Sequence, residues 1–257
     1  MKTFRFLLTN FFNRTLVLVC AGLLFFGTVG AVDAEELYVG VDTSFVPFEF
    51  KGDDGKYTGF DVEMWEKIAE RIDVDYKLKP MDFNGLIPAL TTGNIDAALA
   101  AIFITSAREE VIDFSHPYFT AGLKTMVRSE NDDIHGPKDL EGKTVAVKTG
   151  TATVPYVESL NPKKIVKFPN IGQAYLEVVT GGADAAMHDT PNVLYYIKKE
   201  GKGKVKAVGA DVKAAQYGIA FPQGSDLREK VNLALLKMME DGTYDELHKK
   251  WFGTVPE

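Results

Sequence analysis

The feature that most constrains the fold is a short apolar run that begins at Ala97, is entered through Gly93-Asn94 and is left through Thr105-Ser106. The run is too short for a buried helix and has turn residues on both sides, so it predicts a strand buried on both faces. A strand of this kind is typical of an α/β protein in which helices cover both sides of a parallel sheet.

Arg108 follows this predicted strand after a short polar turn. In open α/β sheets, ligands bind beyond the carboxyl ends of the strands. The planar guanidinium group offers a fork of N–H donors that suits a carboxylate, so Arg108 is a candidate anion-binding residue. The alternative is an ordinary surface arginine in a short helix from Ser106 to Glu110.

Strand and helix patterns alternate along the chain. Glu36 to Val41 predicts a strand that ends at Asp42, and the helical spacing from Phe60 to Ile72 predicts a helix with Asp61 as its N-cap. Between them, the aromatic segment Phe45–Phe50 is predicted to be irregular. Further strands are predicted at Val74–Lys79, Leu123–Arg128, Thr144–Lys148, Ala183–Met187, Lys204–Gly209 and Tyr217–Phe221. This order predicts doubly wound α/β units with parallel pairing.

Ionisable side chains occur at or just beyond several of these strand ends, namely Asp42, Arg108, Lys148, His188 and Asp189. If they converge beside aromatic residues, they form a pocket for a small charged molecule. Arg108 would take a carboxylate and an aspartate would take an ammonium group, which indicates a zwitterion. Two alternatives remain open. His188 could be a structural histidine and Asp189 a helix cap. Asp42 and Asp189 could instead be paired carboxylates that carry out acid–base chemistry.

Other classes of site have little support in the sequence. The four histidines are scattered without metal-ligand spacing, and there is no Gly-x-Ser-x-Gly elbow or phosphate-binding loop. We therefore expect no cofactor and no metal. The chain carries 29 Lys and Arg against 36 Asp and Glu, which argues against nucleic acid and anionic membranes as partners.

Residues Met1 to Ala34 have the pattern of a secretory signal peptide, with basic residues before the apolar run Leu16–Val32. Cleavage is predicted after Ala34, and an uncleaved membrane anchor is the alternative. Cleavage would remove Cys20, the single cysteine, and would leave 26 basic against 35 acidic residues. Disulfides and a thiol nucleophile would then have no part in the function.

Several motifs together resemble one family, the polar amino-acid-binding proteins of bacterial ABC importers, and among them the glutamine-binding proteins. The resemblance extends over residues 35–257. Its motifs are Asp42-Thr43-Ser44-Phe45-Val46-Pro47-Phe48-Glu49-Phe50, Gly59-Phe60-Asp61-Val62, Lys79-Pro80-Met81-Asp82-Phe83, Ala183-Asp184, His188-Asp189-Thr190-Pro191-Asn192 and Tyr217-Gly218-Ile219-Ala220-Phe221-Pro222.

The resemblance implies a two-lobed periplasmic binding protein of the type II kind, in which each lobe is a mostly parallel sheet flanked by helices. The first lobe would comprise residues 35–118 and 217–257, and the second residues 123–211. Two connecting strands, near 119–122 and 214–216, would form the hinge on which the lobes close around a ligand.

The same resemblance implies roles for individual residues. Arg108 corresponds to the clamp for the ligand's α-carboxylate, and Asp189 to the partner of its ammonium group. Phe45 and Phe83 correspond to rings that sandwich the ligand's side chain, and the backbone of Ala152 and Thr153 to N–H donors. Asp42, Lys148 and His188 would surround the terminal amide of the ligand.

Two residues on the strand before Arg108 depart from the family pattern. Ala101 and Phe103 stand where the family usually has a glycine and a hydroxyl residue, and Ala152 also replaces a glycine. A hydroxyl partner for the ligand's ammonium would therefore be missing, although the Phe103 backbone and ring could take part in binding.

The resemblance implies a non-enzymatic, monomeric receptor in the periplasm that delivers L-glutamine or a related amino acid to a membrane permease. One alternative is an enzyme similar to periplasmic cyclohexadienyl dehydratases, which act on prephenate or arogenate in similar two-lobed folds. A receptor for another polar amino acid and a sensory partner are further alternatives.

Overall fold

The computed structural model describes residues 36–255, and the predicted leader Met1–Ala34 lies outside the described residues. Within this range no helix has the length and apolar character needed to cross a membrane. The strands are β1 (Leu37–Asp42), β2 (Ser44–Phe45), β3 (Glu49–Lys51), β4 (Tyr57–Thr58), β5 (Tyr76–Met81), β6 (Ala97–Phe103), β7 (Ile112–Phe114), β8 (Phe119–Arg128), β9 (Thr144–Lys148), β10 (Lys164–Phe168), β11 (Ala185–Asp189) and β12 (Val205–Pro222). The helices are α1 (Phe60–Ile72), α2 (Phe83–Thr91), α3 (Ser106–Glu109), α4 (Thr153–Glu158), α5 (Ile171–Val179), α6 (Thr190–Lys198), α7 (Leu227–Glu240) and α8 (Thr243–Phe252).

The main sheet contains two groups of parallel strands separated by two long antiparallel ones. Its order is β10-β9-β11-β8-β12-β6-β1-β5, with β7 paired to β12. Strands β5, β1 and β6 pair in parallel at one end, and β10, β9 and β11 do so at the other. Helices α1 and α2 pack on the first group, and α5 packs on the second. The predicted α/β fold, with a mostly parallel sheet and flanking helices, is confirmed.

Strand β6 occupies the position that its sequence predicted. All seven of its residues are buried. Ala97, Leu99, Ala101 and Phe103 belong to one hydrophobic core, while Ala98, Ala100 and Ile102 belong to another. The strand is therefore covered on both faces, and its carboxyl end leads through Thr105 into the short helix that carries Arg108.

Several predicted strand boundaries differ from the structure: β5 begins at Tyr76, β8 at Phe119 and β11 at Ala185. The two strands predicted at Lys204–Gly209 and Tyr217–Phe221 form a single strand, β12, which pairs with β8 through two register shifts. The stretch between them is mostly exposed, so it lacks the apolar pattern from which a strand is predicted. Its pairing depends on β8, to which it is hydrogen-bonded along most of its length.

Two local expectations near the amino terminus also need correction. Phe45–Phe50 is not wholly irregular, because β2 and β3 form a small antiparallel sheet with β4. Asp61 is not the N-cap of α1, because Gly59 takes that position. The Asp61 carboxylate instead turns into the core and accepts the backbone N–H of Ala101 at 2.9 Å.

Ala101 has a positive backbone angle, with φ of 43°. A residue with a side chain pays about 1 to 2 kcal/mol for the left-handed conformation that glycine adopts readily. The pairing of β6 with β12 also shifts register near this point, between Gly218 and Ala220. The strained residue is thus built into an irregularity of the central strand.

We expect the substitution Ala101→Gly to raise the free energy of unfolding by up to about 1 kcal/mol, because it removes this strain. Ala98→Gly is the matched control on the same strand, since Ala98 is fully buried without a positive φ. The control should lower the free energy of unfolding by about 1 kcal/mol. Urea unfolding measures the free energy of unfolding of both variants. An equal loss of that free energy in the two variants would show that Ala101 is not strained.

Candidate functional site

A narrow cavity lies where the carboxyl ends of β1, β6, β9 and β11 meet. Ten of the eleven residues predicted for the site line this cavity. Its full lining is Asp42, Phe45, Phe83, Ala100, Ala101, Phe103, Arg108, Lys148, Thr151, Ala152, His188 and Asp189. Residues more than a hundred positions apart in the sequence therefore share one small space.

Thr153 is the predicted site residue that does not line the cavity. It is fully buried as the first residue of α4. Thr151 lines the cavity instead, and its hydroxyl donates to the Lys148 carbonyl at 2.9 Å. The turn between β9 and α4 thus faces the cavity with Thr151 and Ala152.

Arg108 lines the cavity and is buried. Its Nη1 donates to the Phe103 carbonyl at 2.7 Å, and its Nη2 donates to the Gly150 carbonyl at 3.3 Å. The guanidinium carbon lies 5.4 Å from the centre of the Phe83 ring. Burial lowers the pKa of Arg108 to about 10, so the group remains charged at neutral pH.

Asp42 and Lys148 form an ion pair in which both side chains are almost completely buried. Asp42 ends β1 and Lys148 ends β9, so the pair joins the two parallel groups of the sheet. The Lys148 Nζ lies 5.5 Å from the Phe45 ring centre and 5.6 Å from that of Phe83. Burial lowers the pKa of Lys148 to about 7, and the charge of Asp189 opposes this shift.

Asp189 ends β11 and is fixed by a tyrosine. The Tyr217 hydroxyl donates to its Oδ2 at 2.6 Å. Burial raises the pKa of Asp189 to about 7, while this hydrogen bond and the charges of Arg108 and Lys148 oppose the shift. The charges of Arg108 and Lys148 and the Tyr217 hydroxyl therefore favour the ionised form of this buried carboxyl group, while burial disfavours it.

His188 packs against Phe45, with ring centres 5.1 Å apart. Burial, and then the charge of Lys148, lower the pKa of His188 well below its ordinary value, so the ring is neutral at pH 7. Its Nδ1 lies 3.3 Å from Oδ1 of Asp189. Within residues 36–255, neither ring nitrogen has a partner in hydrogen-bonding geometry.

Sequence reasoning missed Ala100 and Thr151, which line the cavity, and Tyr217, which fixes Asp189. Ala100 directly precedes the predicted residue Ala101 on β6, and Thr151 belongs to the turn between β9 and α4. The sequence gives no signal for the contact of Tyr217, because it depends on the pairing of β12 with β6 and β8.

The chemistry of the cavity suits a small molecule with charges at defined positions. Its lining combines three phenylalanine rings with four buried charged side chains, which are Asp42, Arg108, Lys148 and Asp189. Among residues 36–255, no group of three or more His, Cys, Asp or Glu side chains is arranged to hold a metal ion.

Residues 37–254 match the family described as bacterial extracellular solute-binding proteins, family 3. The probable amino-acid-binding protein YxeM of Bacillus subtilis (strain 168) is 35% identical over 229 residues, which cover 86% of this chain and 85% of that protein. A solved structure of an ancestral arginine-binding protein bound to arginine is 41% identical, with a TM-score of 0.81, covering 85% of this chain and 98% of its own. An ancestral arginine-binding protein bound to glutamine is 42% identical, with the same TM-score and coverage.

The family match extends over almost all of the described residues, and the structural matches extend over most of them. They agree with the resemblance drawn from the sequence motifs and with the two groups of parallel strands in the sheet. The chain therefore belongs to the bacterial extracellular solute-binding proteins, family 3.

Proposed function

We propose that this protein is a periplasmic receptor that binds an L-amino acid, L-glutamine, and presents it to the permease of an ABC importer. The observation that carries the proposal is the placement of Arg108 and the Asp42–Lys148 ion pair around one cavity with aromatic walls. The family of the chain and the names of its relatives support the receptor class.

The α-amino acid part of the ligand would bind near Arg108 and Asp189. The buried guanidinium group supplies charged donors for a carboxylate, and the buried Asp189 supplies an acceptor for an ammonium group. Both are held by backbone or tyrosine partners, so little reorganisation is needed on binding. An α-amino acid would bring one opposite charge to each of these two groups.

The ligand's side chain would lie between Phe45 and Phe83 and reach the Asp42–Lys148 pair. A neutral amide satisfies both partners, because its oxygen can accept from Lys148 while its NH₂ donates to Asp42. Glutamate would bring a second carboxylate near Asp42, and arginine would bring a cation near Lys148. Each of these ligands leaves one like-charge contact in a buried site, which disfavours its binding.

Closure of two lobes would assemble this site. We assign residues 35–118 and 217–257 to the first lobe and 123–211 to the second, with the hinge near 119–122 and 214–216. Three contacts would join these lobes in the closed form: Lys148 with Asp42, Arg108 Nη2 with the Gly150 carbonyl, and Asn192 Nδ2 with the Val46 carbonyl. A ligand that touches both lobes would favour the closed form by its differential affinity.

Isothermal titration calorimetry with the common L-amino acids tests the ligand. We expect L-glutamine to bind more tightly than L-glutamate or L-arginine by about tenfold or more, as one unfavourable buried contact predicts. If another amino acid binds and glutamine does not, the ligand assignment is wrong. Turnover of prephenate or arogenate in the same preparations would contradict the receptor proposal and support an enzyme.

We expect Arg108→Ala to abolish detectable binding, because a buried carboxylate would lose its charged partner. Arg108→Lys keeps the charge but loses the fork, so it should bind with intermediate affinity. Arg228→Ala is the matched control for charge, since Arg228 pairs with Asp113 and Glu229 and does not line the cavity. Normal affinity in Arg108→Ala would move the site elsewhere.

We expect Phe103→Thr to bind L-glutamine about tenfold to a hundredfold more tightly, because the hydroxyl adds a charge-assisted hydrogen bond to the ligand's ammonium. Phe103→Leu is the control, since it removes the ring without adding an acceptor. The Phe103 ring packs 4.7 Å from that of Tyr217, so the unfolding midpoint is measured alongside. Equal or weaker binding in Phe103→Thr would show that the ring serves the ligand directly.

A further inference from the structure

Two acidic side chains meet in the core beneath the cavity. Glu49 begins β3 and Asp61 lies in the first turn of α1, and both are completely buried. Gly59 makes this approach possible, because a Cβ at its φ of 129° would lie 2.1 Å from the Phe48 carbonyl oxygen. The backbone N–H of Asp61 then donates to that carbonyl at 2.9 Å.

The hydrogen bonds of this acid pair are incomplete if both groups are ionised. Asp61 Oδ2 accepts from the Ala101 N–H at 2.9 Å and from the Tyr118 hydroxyl at 2.8 Å. Asp61 Oδ1 and both carboxyl oxygens of Glu49 find no donor in the described part of the chain. Buried carboxylates without partners are strongly destabilising, so a structure with two such charges side by side needs another explanation.

A single proton on Glu49 removes most of this deficit. Protonated Glu49 would become a donor to the neighbouring Asp61, since both buried carboxyl groups have oxygens that lack a donor among residues 36–255. Donation to Oδ1 would give Asp61 a third hydrogen bond and would leave only the carbonyl oxygen of Glu49 without a donor in the described part of the chain. The pair would carry one negative charge, on Asp61.

Asp61 is the better place for that charge. It lies at the amino-terminal turn of α1, where the helix dipole favours an anion, and it already accepts two hydrogen bonds. Burial, and then the charges of Asp61 and Asp189, raise the pKa of Glu49 well above its ordinary value. Burial raises the pKa of Asp61 to about 6, with the hydrogen bonds from Ala101 and Tyr118 opposing the shift.

We propose that Glu49 is a protonated positioning residue for the binding site: it donates to Asp61, and Asp61 holds the N–H of the strained residue Ala101 on the cavity wall. Ala101 lines the cavity two positions before Phe103, whose carbonyl accepts from Arg108. The acid pair thus sets the course of the strand that leads to the proposed carboxylate clamp. Of the tests below, only the measurement of ligand affinity rests on the proposed function.

Infrared difference spectroscopy tests the protonation directly, without a ligand. The spectrum of wild type minus Glu49→Gln at pH 7 should contain the carbonyl band of a protonated carboxylic acid. A band of ionised carboxylate in its place would overturn the proposal. The subtraction removes the contribution of Asp61 and Asp189, because both are present in the two proteins.

Unfolding at different pH values gives a second test. Above the ordinary pKa of glutamic acid, the folded state keeps a proton that the unfolded chain has lost, so wild-type stability should fall as pH rises. Glu49→Gln lacks this linkage. Its urea midpoint relative to that of wild type should therefore increase as the pH rises from 5 to 8. The titratable groups that face the acid pair, which are Asp61, Asp189, Tyr118, Tyr217 and Tyr244, remain in both proteins. Parallel pH profiles would contradict a protonated Glu49.

Affinity for L-glutamine tests the positioning role. Glu49→Gln keeps a donor to Asp61 and should bind within about threefold of wild type, while Glu49→Leu, of similar volume, should bind about tenfold or more weakly. Equal affinities in the two variants would overturn the positioning role, even if Glu49 is protonated. If wild type binds no amino acid, the proposed function fails, and the infrared and pH tests still decide the state of Glu49.

Discussion

The structure depends on pairing charges that are removed from water. Asp42, Arg108, Lys148 and Asp189 are almost or completely buried around one cavity, and a single buried charge of this kind would be strongly destabilising. Each acid has a cation near it, and each partner comes from a different strand or turn. Burial of these charges beside their partners therefore requires that both groups of parallel strands be brought together.

The two long strands β8 and β12 make this arrangement possible. They pair with each other and separate the two parallel groups in the sheet. The middle of β12 is mostly exposed and shifts register twice, so it contributes little to either core. This exposed, irregular stretch overlaps the segment that we propose as one strand of the hinge.

The wall of the cavity illustrates how binding and stability are coupled. Ala101 has a strained backbone, its N–H is held by Asp61, and Phe103 carries the carbonyl that Arg108 contacts. A small change in this strand would move a proposed ligand contact as well as a core residue. The hydrogen bond from Ala101 to Asp61 therefore bears on both the stability of the fold and the geometry of the proposed binding site.

Much of the fold was readable from local patterns. The helix Phe60–Ile72 and the strand Thr144–Lys148 have the bounds that their periodicity predicted, because each has one clear apolar pattern and clear ends. The continuous strand β12 could not be predicted, since its exposed middle depends on pairing with β8. The inward turn of Asp61 was missed because a capping role and a core role look the same in sequence.

The sequence by itself determined the central buried strand, the ionisable residues at strand ends and ten of the residues that line the cavity. Local apolar periodicity and the family motifs carry that information. Only the tertiary structure decided that Asp42 pairs with Lys148, that Tyr217 holds Asp189, and that Glu49 meets Asp61. These contacts join residues far apart in the chain or on different elements, and their partners are set by strand order and close packing.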